Sequence, residues 1–274
     1  MKGIEFVFIP GGFGENDAAY NFMGTGFAKA DSKKRSEAWT RFSLPYVLIK
    51  HPEVGYIMFD VGLGSGEETD RRPVEHRMIN PSIVTRDDYV DMRLKQLGLS
   101  VDDISSIIIS HCHWDHIGGL EFFKGTEAIK NVYVSKKDFA HGLIQTHRTS
   151  KGYSGMDYYR KNMDVEDAEF ILLDDEDFEL YPGVHLIMLP GHTPCVIGLI
   201  LLLEKSVYIF PSDAVTAEIC LRDPIVMPGS LYDSLLYLES VKKLRKLEKL
   251  YQAKIMFTHD PFNYPNYKTM EWIR

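Results

Sequence analysis

The chain has 274 residues, 45% of them apolar and 26% charged, the ordinary range of a folded globular protein, and with no long low-complexity tract or repeat it is neither disordered nor a solenoid in this reading. Its formal charge of −8 turns expectation away from a nucleic-acid partner and toward a small molecule. No apolar run approaches the ~18 residues of a membrane helix, and Met1-Lys2-Gly3-Ile4-Glu5 lacks the basic and apolar regions of a secretion signal. Cys112, Cys195 and Cys220 have no C-x-x-C spacing and cannot all pair, so no disulfide framework is expected. The reading is one cytoplasmic domain over 1–274 with no membrane partner.

Short apolar or β-branched runs at 4–9, 44–50 and 56–61 are bounded by Pro10-Gly11-Gly12, Pro52-Glu53 and Gly62, as strands are. Thr85 with Asp88 has the form of a capping box, Val90, Leu94 and Leu97 recur at helical spacing, and Gly98 supplies the stop. Strands follow at 107–109 and 132–134. The polar, tyrosine-rich stretch 136–167 has weak periodicity and reads as helical pieces with loops, a candidate lid. A second dense group of strands occupies 170–173, 178–180, 184–189, 196–203 and 207–210, separated by Pro182-Gly183, Pro190-Gly191 and Glu204-Lys205. Ser230 with Asp233 opens a long helix with an apolar stripe of Leu231, Leu235, Leu238, Leu244 and Leu247. Lys242, Lys243, Arg245 and Lys246 are assigned to its solvated face, and a last strand to 255–257. Two groups of strands, each with helices, point to an α/β protein of two mixed sheets packed face to face with helices outside, a four-layer αββα sandwich.

The chemistry concentrates in His111-Cys112-His113-Trp114-Asp115-His116, an H-x-H-x-D-H hexapeptide directly after Ile107-Ile108-Ile109. A tight loop at a strand end can turn His111 and His113 to one side while Asp115 and His116 address a neighbouring position, so two adjacent metal ions are the natural reading. Without metal, so many desolvated imidazoles would each need a partner. Further donors stand where strands hand over to loops: His192 in Leu189-Pro190-Gly191-His192, Asp213 in Pro211-Ser212-Asp213, and His259 in Thr258-His259-Asp260. Imidazole and carboxylate suit zinc and also accommodate iron or manganese; zinc is placed first on prevalence.

With these residues the chain resembles the metallo-β-lactamase superfamily, whose pattern runs H-x-H-x-D-H, Pro-Gly-His, Asp, His, and within it looks most like the N-acyl-homoserine lactonases. The resemblance implies His111, His113 and His192 around a first metal, Asp115, His116 and His259 around a second, and Asp213 as the bridge. It also implies that Asp60, in Phe59-Asp60-Val61-Gly62, holds a ligand histidine in one tautomer. The activity implied is opening of a lactone or related ester, N-acyl-homoserine lactone among them, by a bridging hydroxide, with Asp115 taking the proton. Those lactonases carry a tyrosine three residues after the bridging aspartate where this chain has Thr216; a hydroxyl from Tyr153, Tyr158, Tyr159 or Tyr264 would have to take its place. Class B β-lactamases commonly have cysteine at Asp213, which disfavours antibiotic hydrolysis. The alternatives are a glyoxalase II-like thioesterase, an iron-dependent sulfur dioxygenase, and a metal-stabilised binding module without turnover. Glyoxalase II enzymes usually bind glutathione through a basic helical addition for which Met270-Glu271-Trp272-Ile273-Arg274 leaves no room. Phe13, Phe22, Met23 and Phe27 are candidates to contact an acyl chain, and oligomeric state is not legible.

Overall fold

The computed structural model describes residues 3–24, 38–67, 69, 71–154 and 157–274; Phe27 lies outside them. In chain order its strands are β1 (Glu5–Asp17), β2 (Trp39–His51), β3 (Gly55–Phe59), β4 (Ser82–Ile83), β5 (Ile104–Ile109), β6 (Val132–Ser135), β7 (Tyr153–Ser154), β8 (Tyr158–Tyr159), β9 (Phe170–Leu173), β10 (Phe178–Tyr181), β11 (Val184–Leu189), β12 (Val196–Leu202), β13 (Val207–Phe210) and β14 (Lys254–Ile255). One sheet has the order β4-β1-β2-β3-β5-β6-β9, antiparallel as far as β3 and parallel beyond it. The other runs β10-β11-β12-β13-β14, with only the last pair parallel.

The layers follow from the period of two along each strand. On β1, Phe6 and Phe8 join a core between the sheets, together with Leu186 and Met188 of β11 and Phe210 of β13. The alternate residues Val7 and Ile9 face the opposite way, onto Val90 and Leu94 of the helix Val90–Gln96. On β11, Ile187 and Leu189 likewise turn outward, onto Tyr237, Val241 and Leu244 of the helix Ser234–Tyr251. Each such side chain contributes about 1.5–3 kcal/mol when fully buried, and a slip of one residue would send every one of them to the wrong face. The result is the expected mixed αββα sandwich.

Several local expectations are corrected. Strand β1 does not stop at Ile9: it passes through Pro10-Gly11-Gly12 with a register shift and pairs with β2 as far as Asp17. Gly12 takes φ +95° there, so the glycines make a bulge rather than a break. The Thr85–Asp88 capping box is present, but it opens the 3-10 turn Arg86–Asp88 ahead of the helix proper. Asp233, not Ser230, caps the long helix, accepting from the backbone N–H of Leu235 and Leu236 at 2.8 and 3.0 Å. Leu235 is 73% exposed and leaves the apolar stripe, whose centre is taken by Tyr237, Val241 and Leu244. Nor is the basic set simply solvated: Lys243 reaches Asp177 and the Met188 carbonyl, and Arg245 reaches the Leu221 carbonyl and Asp223. The strand expected at 255–257 reduces to β14, because the chain then turns away toward His259.

Candidate metal centre

Every proposed donor follows the C-terminal end of a strand: the hexapeptide after β5, His192 after β11, Asp213 after β13 and His259 after β14. Local sequence makes those turns possible. Gly191 has φ +136°, and a Cβ there would meet the Tyr237 backbone at 2.4 Å. Only glycine lets the Pro190-Gly191-His192 turn sit on the long helix, where its carbonyl accepts from Tyr232 and Asp233 at 2.9 Å each. Asp60, directly after β3, takes the left-handed φ of +59°, a local strain of the kind found at functional sites.

All seven donors are buried or nearly so, and they converge. Three triads each bring their ligating atoms within 4.8 Å of one another: His111, His113 and His192; His111, His116 and Asp213; and Asp115, His116 and His259. Asp213 divides its oxygens between the two sides. Its Oδ2 lies 3.5 Å from His192 Nε2 and 4.0 Å from His111 Nε2, while Oδ1 lies 3.0 Å from His259 Nε2 and 3.4 Å from His116 Nε2. Asp115 Oδ2 faces the second set, 3.5 Å from His259 and 3.8 Å from His116. His192 Nε2 and His113 Nδ1 approach to 3.2 Å, edges turned to a common point.

Counting protons fixes which ring nitrogen is free. His259 Nδ1 faces the Ser43 carbonyl at 2.6 Å, an acceptor only, so it carries the hydrogen and leaves Nε2 a lone pair. His116 Nδ1 donates in the same way to Asp60 Oδ2 at 2.8 Å. Asp60 also accepts from the Ser110 backbone N–H at 2.7 Å and the Ser110 hydroxyl at 2.9 Å. With its hydrogen spent on Asp60, Ser110 Oγ accepts from His111 Nδ1 at 3.0 Å. Among the described residues the Nε2 atoms of His111 and His116 are left buried with no hydrogen-bond partner, a costly state for a buried polar atom. Imidazole lone pairs with two carboxylates are a borderline-to-hard donor set, and the unpartnered nitrogens fit divalent ions such as zinc.

The electrostatics agree. Burial pushes His111 well down, and His113 and His192 down to about 4, so these rings are neutral near pH 7. Burial opposes charge on His116 as well, but Asp115, Asp60 and Asp213 together outweigh it and carry it well above the usual range. His259 is raised for the same reason, chiefly by Asp213. Burial alone would raise Asp213, yet His259 and His116 hold its carboxyl well below the usual range. The field on this side therefore favours positive charge at Nε2 of both rings, supplied by a proton in the metal-free protein and by a cation that would take the proton's place on the same lone pairs.

A cleft over the donors is lined by Asp115, His192, Thr216 and His259 together with Phe42, Trp114, Tyr20 and Asp157. Trp114 packs rather than reacts, with the buried Arg72 guanidinium 3.6 Å over its ring. None of the four tyrosines named from sequence lines this cleft. Tyr158 donates to Asp138 at 2.8 Å while its ring packs on His113 at 4.7 Å, Tyr153 and Tyr159 gather around His76, and Tyr264 packs on Phe8 and Phe13. Phe13 and Phe22 also turn away, Phe22 onto Phe262, and Met23 is exposed. Sequence reasoning passed over Ser43, Ser110, Tyr20 and Asp157. Ser110, adjacent to the hexapeptide, carried a positional signal; the others carried none.

A mixed αββα sandwich that gathers five imidazoles and two carboxylates at its strand ends has the form of a metallohydrolase. The family model described as the metallo-beta-lactamase superfamily matches residues 40–259, and the chain belongs to that superfamily. Among curated relatives, the N-acyl homoserine lactonase AiiB of Agrobacterium fabrum is 29% identical over 194 residues, 69% of each chain. The N-acyl homoserine lactonase AiiA of Bacillus thuringiensis subsp. kurstaki is 28% identical over 212 residues, 76% of this chain and 78% of that one. A mutant of B. thuringiensis AiiA with N-decanoyl-L-homoserine bound at its active site superposes with a TM-score of 0.80 at 24% identity, both chains covered in full. AidC, a dizinc quorum-quenching lactonase, gives 0.69 at 18%, covering 96% of this chain and 89% of the other. Both structural likenesses bear on the fold.

Proposed function

We propose that this chain is a metal-dependent hydrolase that opens lactones, N-acyl homoserine lactones foremost, using a pair of divalent ions with zinc the first choice. In this reading His111, His113 and His192 hold one ion, Asp115, His116 and His259 the other, and Asp213 bridges them. The observation that carries it is the division of the Asp213 carboxylate, one oxygen toward each histidine set. When bound, such a pair supplies a water acidic enough to attack near neutral pH, and positive charge for the carbonyl oxygen. Asp115, directed at the second set and lining the cleft, takes the nucleophile's proton on a carboxylate oxygen and returns it to the leaving alkoxide. Asp60 and the Ser43 carbonyl keep His116 and His259 oriented, each through Nδ1. Thr216 lines the cleft with its hydroxyl 4.0 Å from Cys220 Sγ. We read 1–274 as one hydrolase domain in which the segment 136–167 supplies part of the cleft wall through Asp157.

The test is zinc-loaded protein with N-hexanoyl homoserine lactone, followed by mass spectrometry of the ring-opened acid. Turnover that a chelator abolishes and zinc restores supports the reading. Full metal content with no turnover on any lactone contradicts it.

A further inference from the structure

Tyr20 and Asp157 reach the cleft from remote parts of the chain. The turn that carries Tyr20 is fixed: Asp17 caps it through the Ala19 N–H at 2.9 Å, the Tyr20 carbonyl accepts from Gly229 at 2.9 Å, and Met23 donates to the Met227 carbonyl at 2.6 Å. Asp157 is fixed to the hexapeptide itself, its carbonyl accepting from the Trp114 N–H at 3.0 Å. Tyr20 Oη donates to Asp157 Oδ1 at 3.1 Å, and the Ser230 hydroxyl lies against the same phenol oxygen.

The phenol has one hydrogen, and it is spent on Asp157. A carboxylate has about four lone-pair sites, and among the described residues Tyr20 supplies the one hydrogen bond the Asp157 side chain receives. Among the described residues the Asp157 carboxylate therefore keeps lone pairs that no donor fills. A bound molecule that desolvates Asp157 without offering it a donor leaves that deficit in place; one with a suitably placed N–H removes it.

We propose that Tyr20 and Asp157 form a polar subsite that accepts a hydrogen bond from a substrate N–H beside the carbonyl under attack, and so selects acylamino lactones over lactones without an amide. Tyr20 is the positioning residue, holding the Asp157 carboxylate in place, and Asp157 makes the contact. The role of this subsite in turnover rests on the lactonase reading above.

The experiment compares N-hexanoyl homoserine lactone with α-heptyl-γ-butyrolactone, similar in size but without the N–H, on the zinc-loaded wild type, Asp157→Ala and Tyr20→Phe. The ratio of their kcat/KM values should fall about 10-fold or more in Asp157→Ala, mainly through KM, and by less in Tyr20→Phe. Calorimetric binding of the matching lactams, 3-hexanoylaminopyrrolidin-2-one and 3-heptylpyrrolidin-2-one, should show the same fall in the ratio of Kd values without any turnover. Ratios that stay at the wild-type value in both variants, whether or not overall activity drops, overturn the proposal. A wild type that opens neither lactone sinks the lactonase reading instead, and the lactam ratios still decide the subsite.

Discussion

Asp60 does not line the cleft, yet it holds two of the clustered histidines in place. It receives three hydrogen bonds, from His116 Nδ1, the Ser110 N–H and the Ser110 hydroxyl, and through Ser110 it also sets the His111 ring. Replacing Asp60 by Asn keeps its size but sets a neutral amide, half of it a donor, against three donors. The expected outcome is a roughly 10–100-fold loss of metal affinity with the fold retained, measured by zinc competition against a chromophoric chelator and by far-UV circular dichroism. Asp115 is a different case, both a donor and the proposed proton carrier. Asp115→Asn should lower kcat by about 100-fold or more, and saturating zinc should not restore it. Full recovery in excess zinc would reduce Asp115 to a ligand alone.

Gly191 and the long helix are the element-scale counterpart, because the first strand-end histidine outside the hexapeptide is placed by a turn that only glycine can make. Gly191→Ala drives a Cβ against Tyr237 backbone and must displace His192. We expect one ion equivalent to be lost or weakened while the second set holds, read as bound zinc per chain after gel filtration. In the inter-sheet core, Phe6 is fully buried and packs edge-on against Tyr208 and Phe210. Phe6→Ala should cost about 3–5 kcal/mol, seen in urea unfolding as a lower midpoint at constant m. Much at this scale was legible in sequence, since runs such as 184–189 and 207–210 are apolar, short and bounded by turn residues. The errors fell where tertiary context overrode a local sign. Pro10-Gly11-Gly12 reads as a break but is absorbed as a bulge by pairing with β2, and Lys243 and Arg245 read as solvated but bind carbonyls beside their helix. The convergence of these seven side chains was legible because four fall within one hexapeptide and the rest follow strands. Ser43, Tyr20 and Asp157 were not, because a single polar residue acquires meaning only from the neighbours that folding brings to it.

At the scale of the whole molecule, both sheets send strand ends to one place, so the donor cluster joins the two halves of the sandwich: the hexapeptide and Asp60 belong to one sheet, and His192, Asp213 and His259 to the other. Metal binding should therefore stabilise the packing of sheet on sheet. An ion present at 100 times its Kd contributes about 2.7 kcal/mol per site, so stripping with chelator should lower Tm by several degrees and zinc should restore it. A Tm indifferent to metal would mean that the donors do not bind an ion across the sheets. Native mass spectrometry of the zinc-titrated protein tests most directly the proposal that these seven side chains hold two ions at once. The wild-type chain should carry two zinc ions and Asp213→Ala should be unable to hold both; a wild type that saturates at one ion or none would contradict the two-ion proposal.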